Sequence, residues 1–217
     1  MHNGQMDYLG VVLLVAALAT AFVVIARSSA WQGRRARAEQ QSQLALAKRA
    51  AEADVVGLTE ALTRLSVVAE TDPQAQEDYD SAAAAHARAV RCLAEASEPD
   101  ELSLVTENLE KGRWTVARLM ARAAGEPLPT RRPPCFFNPG HGPSTRNIGW
   151  QSRSVPACAA DAARVEAGAD PYIRTVERGD RRVPYWEGGP TYAGWARGYY
   201  ASWRGSTLVA DIVSSRS

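Results

Sequence analysis

Cys135-Phe136-Phe137-Asn138-Pro139-Gly140-His141-Gly142-Pro143, answered downstream by Val155-Pro156-Ala157-Cys158-Ala159-Ala160-Asp161-Ala162, decides how the C-terminal third of the chain folds. Between the two blocks lie polar, strand-like residues up to Trp150, a turn at residues 151–153 and a second short strand over residues 154–157. Cys158 then opens a helix. A cysteine-bearing loop, a β-hairpin and a helix beginning with cysteine predict a small α+β module of treble-clef type, in which the loop and the first helical turn supply the ligands of one metal ion. Cys158 and Asp161 stand three residues apart on that turn and face the same way. Thiolate, imidazole and carboxylate all suit four-coordinate zinc, so Cys135, His141, Cys158 and Asp161 are the candidate ligands of a structural zinc ion. Asn138 takes the place where tight-knuckle spacing would put a ligand, and its amide is a poor zinc donor.

Other readings of the same residues stay open. They are a metal-free fold with packed cysteines, a Cys135–Cys158 disulfide outside a reducing compartment, and a thiol- or metal-dependent enzyme or redox sensor. In the last, Cys158 at a helix start acts with Cys135 and His141. No nucleophile elbow and no orienting third group accompany them, so no catalytic residue is assigned.

Upstream, Pro127-Leu128-Pro129-Thr130-Arg131-Arg132-Pro133-Pro134 forms a stiff linker over residues 126–134. Downstream, alternating residues on both sides of Arg178-Gly179-Asp180 predict a second hairpin, with Arg178, Arg181 and Arg182 at a solvated turn. Trp186, Tyr192, Trp195, Tyr199, Tyr200 and Trp203 form an aromatic series with little aliphatic company. The series reads as a tail covering a module whose own core is thin, or as a segment that meets a partner. The module with its tail occupies residues 135–205, and a disordered tail is expected at residues 206–217.

Residues 27–125 read as three helices in an antiparallel bundle or a coiled-coil stalk. Leu44, Ala51, Val55, Leu58, Leu62, Leu65 and Ala69 make the first seam, stopped by Thr71-Asp72-Pro73. Tyr79, Ala83, His86, Val90 and Leu93 make the second, with His86 read as a satisfied core histidine and Cys92 as an inert thiol. Leu102, Val105, Leu109, Val116, Leu119 and Ala123 make the third, ending at Gly125. Helices over residues 31–125 would serve a protein partner or a homo-oligomer.

Before them, residues 8–26 carry no charged side chain and at about 1.5 Å per residue match a bilayer core, which predicts a transmembrane helix after a short extracytoplasmic N-terminus at residues 1–7. Arg27, Arg34, Arg35 and Arg37 follow it. The positive-inside rule then gives a single-pass plasma-membrane protein in contact with the lipid bilayer, N-terminus outside and C-terminal domain cytoplasmic. The 25 basic and 24 acidic residues leave no field for nucleic acid, and three cysteines are too few for a disulfide scaffold. The fold class expected is α-helical overall, with the transmembrane helix, the three-helix region and the small α+β module.

The two cysteine blocks, together with Arg182-Val183-Pro184-Tyr185-Trp186, resemble a family of membrane-anchored proteins from high-GC actinobacteria, which carries Asp at the position of Asn138. The resemblance spans most of residues 8–203. It implies this architecture and no particular activity, and the role expected is that of a membrane-anchored interaction or scaffold protein.

Overall fold

The computed structural model describes residues 4–69 and 72–203; the side chains of residues 4–26, 28–30 and 68, and the tail at residues 206–217, lie outside the described residues. The chain divides into two compact units, Met1–Ser42 and Gln43–Ser217. The first is the opening part of helix α1 (Gly4–Ala69). Everything below concerns the second.

Helix α2 (Pro73–Glu95) starts where Asp72 takes the N-cap, its carboxylate accepting the Ala75 N–H at 3.1 Å, with Pro73 in the first turn. A single 3-10 turn at Pro99–Glu101 leads into α3 (Leu102–Ala124). There the Glu101 carboxylate accepts the N–H groups of Ser97 at 2.6 Å and Glu98 at 3.1 Å. Gly125, at φ +67°, ends α3 in the left-handed conformation that glycine reaches without strain.

The three helices meet along small residues. Ala47, Ala51, Leu58 and Leu62 of α1, Ala75, Ala82, Ala85 and Ala89 of α2, and Leu102, Val105, Leu109 and Leu119 of α3 are buried. The expected Tyr79–Leu93 face of α2 is corrected in part: Tyr79 and Leu93 pack against the core, but Val90 is 42% exposed and the buried contact is made by alanines. Gly112 shows why: a Cβ there would stand 2.8 Å from Leu58 Cδ2 and 3.5 Å from Ala85 Cβ, so the helices approach too closely for large side chains. His86 is half-buried rather than in the core, with Nε2 2.7 Å from Thr59 Oγ1.

Two buried carboxylates are spanned by arginines. Asp78 accepts Arg118 Nε at 2.9 Å and Arg122 Nε at 2.8 Å, tying α2 to α3. Glu110 accepts Arg131 at 2.7 Å, which anchors the linker on α3. Burial outweighs that arginine and lifts the Glu110 carboxyl from 4.5 to about 7. Between those values the folded chain holds a proton that the unfolded chain has released, so stability falls as pH rises, by up to about 1.4 kcal/mol per pH unit. Glu110→Gln is expected to remove that part of the slope. Urea unfolding at pH 5 and pH 8 measures it, and an identical pH dependence in the variant would refute the assignment.

Past the linker come two antiparallel hairpins, β1 (Arg146–Trp150) with β2 (Arg153–Ala157) and β3 (Thr175–Arg178) with β4 (Arg181–Pro184). The first turns through Gln151 and Ser152, both at positive φ; the second turns at Gly179. Helix α4 (Ala159–Glu166) follows β2, and α5 (Pro190–Tyr199) follows a 3-10 turn at Tyr185–Glu187. The aromatic series is thus mostly interior. Tyr185, Tyr192, Trp195, Tyr199 and Tyr200 are buried in one core cluster with Leu58, Leu102 and Leu109. Asp54 of α1 receives Trp195 Nε1–H at 2.9 Å, the Tyr199 hydroxyl at 2.9 Å and Arg174 at 3.0 Å. Buried indole and phenol groups keep partners in this way. Desolvation pushes the Asp54 carboxyl above its usual range, and Arg174 opposes it.

The expectation of a single-pass membrane protein is corrected. Among the described residues no helix is long and apolar enough to cross a membrane. A crossing takes about 20 consecutive apolar residues. Among the helical residues whose side chains are described, the longest run without Asp, Glu, Lys or Arg is residues 40–47. The side chains of residues 8–26, on which the expectation rested, lie outside the described residues. With the span go the plasma-membrane address and the orientation. The expected fold class, a transmembrane helix with a coiled-coil region and a treble-clef-like module, gives way to a mostly helical fold with two small antiparallel sheets.

Candidate metal centre

The loop after the linker is closed on itself by the backbone. Pro134 and Pro143 form an antiparallel bridge, and the Cys135 N–H donates to Gly142 O at 3.0 Å. Phe136 N–H donates to Pro156 O at 2.8 Å, which docks the loop on β2. Inside it, Asn138 caps the 3-10 turn Pro139–His141, its side chain accepting the Gly140 N–H at 2.9 Å. Asn138 is therefore a turn-former. A Cβ at Gly140 would lie 2.9 Å from Asn138 Oδ1 and push that capping side chain aside. The turn delivers His141.

Helix α4 supplies the opposite wall. Cys158 is its N-cap, the thiol accepting the Asp161 N–H at 3.5 Å, and Asp161 lies one turn further on. Tyr172 N–H donates to Asp161 Oδ1 at 2.9 Å, which leaves Oδ2 turned to the loop. Around Oδ2 stand His141 Nδ1 at 2.9 Å, Cys135 Sγ at 3.2 Å and Cys158 Sγ at 3.4 Å, with Cys158 Sγ 3.7 Å from His141 Nδ1. All four donor atoms lie within 4.8 Å of one another, a group that could hold a metal ion. Cys135 and Asp161 are fully buried, while His141 and Cys158 are partly exposed.

The electrostatics are those of a crowded donor set. The hydrogen bond from Cys135 pulls the Cys158 thiol down to about 5, and His141 adds to the effect. The same bond, together with burial, pushes the Cys135 thiol up. Cys158 foremost, then the Asp161 charge, raises the His141 imidazole against its desolvation. For Asp161, burial is outweighed by the Tyr172 N–H and the two thiols, and its carboxyl stays below the usual range. The cluster thus retains a proton on Cys135 that a bound cation would displace.

The structure brings together all four residues singled out by their spacing. It does not bring in Cys92, half-buried and free on α2, nor Arg178, Arg181 and Arg182 on the second hairpin. It adds partners that spacing missed. The Tyr200 hydroxyl donates to Cys135 O at 3.2 Å and the Tyr185 hydroxyl to Phe136 O at 3.0 Å, with 3.1 Å between the two hydroxyls. Phe136 stacks on Trp186 at 4.7 Å, and Trp150 packs edge-on against Phe137. The spaced aromatics were a visible signal, but nothing local ties Tyr200 to Cys135. No protein-family model, curated protein or solved structure matches this chain.

Proposed function

We propose that the chain is an interaction or scaffold protein whose C-terminal module is held together by a structural zinc ion on Cys135, His141, Cys158 and Asp161. The observation that carries this reading is the convergence of four donor atoms from a loop and a helix start on one point. A zinc ion with bonds of about 2.0–2.3 Å needs ligand atoms roughly 3.3–3.8 Å apart. Four of the six donor pairs stand 2.9–3.7 Å apart, close to that spacing, and all six lie within 4.8 Å. Four protein donors fill a tetrahedral shell and leave no open position for substrate, which is the mark of structural rather than catalytic zinc. Tyr172 N–H on Asp161, the Asn138 carbonyl on the His141 N–H and the Tyr200 hydroxyl on Cys135 O hold the donors or their backbone from outside. Val56 and Val67 on α1 and Leu104 and Met120 on α3 are exposed apolar side chains that a partner would cover.

Geometry weighs against the thiol-enzyme alternative. Cys158 Sγ and Asp161 Oδ2 both face Nδ1 of His141. A nucleophile–base–orienter relay uses the two ring nitrogens separately. The test is elemental analysis of the full chain purified from a reducing host without added metal. About one zinc per chain is expected. A folded sample without metal would retire the reading.

A further inference from the structure

On the side of the second unit formed by α1 and the second hairpin, a recess of about 210 Å³ opens, several times what one water needs. Arg49 of α1, Arg174 ahead of β3 and Arg182 of β4 line it, against a single carboxylate, Glu177. Leu46 and Val176 give it an apolar wall. The three guanidinium groups are held differently. Arg174 is anchored through Nη2, which donates to Asp54 at 3.0 Å and to Ala50 O at 3.2 Å. Its Nε–H is buried and meets no acceptor among the described residues. Arg182 is braced across the strand pair, its Nε–H donating to Thr175 Oγ1 at 3.1 Å and Nη2 to Thr175 O at 3.3 Å. Arg49 makes no ion pair among the described residues.

Arg174 and Arg182, held in place, lose little freedom on binding, and planar guanidinium forks match the oxygens of an oxyanion. We propose that this recess binds a small phosphate-bearing anion, with Arg49, Arg174 and Arg182 on its oxygens and any apolar body against Leu46 and Val176. The site is separate from the cysteine cluster and stands or falls without it.

Titration calorimetry of the full chain with inorganic phosphate and with phenyl phosphate tests this. Saturable binding is expected, weakened about tenfold or more by Arg49→Gln and by Arg182→Gln. Both side chains lie at the surface. Arg181→Gln, an exposed arginine outside the recess, is expected to leave affinity unchanged. Tighter binding of the ester assigns a ligand with an apolar body, and equal binding assigns free phosphate. No saturable binding of either probe up to about 10 mM, or equal affinity in the Arg49→Gln/Arg182→Gln double variant, would overturn the proposal.

Discussion

Cys135→Ser is expected to strip zinc from the full chain and to lower its unfolding free energy by about 3–5 kcal/mol. Zinc-finger peptides gain roughly 10–16 kcal/mol from their metal because nothing else folds them. Here the helices and the aromatic core remain, so only the loop, the first hairpin and the start of α4 lose their tie. The backbone bonds of Cys135, to Gly142 O and from the Tyr200 hydroxyl, survive the substitution. The deficit therefore reports the sulfur and the ion. Thermal unfolding with and without a chelator reads it: chelation should bring the wild-type chain down to the variant and leave the variant unmoved. Cys92→Ser, on α2 and outside the cluster, should match the wild type in metal content and stability. A wild-type chain indifferent to chelator, with Cys135→Ser nearly as stable, would refute the zinc reading.

Gly198→Ala is expected to destabilise the protein by about 2–4 kcal/mol, even though alanine is the better helix former by about 1 kcal/mol. The added Cβ would run into Ser103 O and Thr106 Oγ1. One of these is backbone, and the other is fixed by its bond to Trp195 O at 2.8 Å. Helix α5 would have to lift from α3, disturbing Trp195 and Tyr199 and with them their bonds to Asp54. Gly194→Ala should act likewise, its Cβ falling 2.6 Å from Asp100 Cα. Gly149→Ala, with nothing within 4 Å, serves as the control and should stay within about 0.5 kcal/mol of wild type. Denaturant midpoints decide, and a neutral Gly198→Ala would mean that α5 does not seat on α3 as described.

These outcomes divide along what could be read residue by residue. The break at Thr71-Asp72-Pro73 is visible because capping chemistry acts over three residues, and Asp72 caps α2 as its side chain dictates. Gly125 and the Gly179 turn are likewise local, set by positive φ. Cys158 and Asp161 share a face by helical geometry alone. Two donors that one turn must bring together, with a cysteine and a histidine in a proline-rich loop, are enough to mark a candidate site. The α2 seam is legible only in part: Tyr79 and Leu93 reach the core as their spacing suggests, whereas the close packing across Gly112 selects the alanines between them, which periodicity of large apolar residues does not mark. The aromatic series was legible as a feature and not as a helix, since Gly194 and Gly198 lower intrinsic helicity and gain their role only against α3.

By itself, then, the sequence determined the caps, the turns and the set of four donors, because each depends on residues a few positions apart. Only the tertiary structure decided that Asp54 receives Trp195 and Tyr199, about 140 residues away, or that Tyr200 backs Cys135. It alone placed Arg49 of α1 beside Arg174 and Arg182 at one recess. Those pairings follow from which buried donors and acceptors remain to be satisfied once the helices have packed.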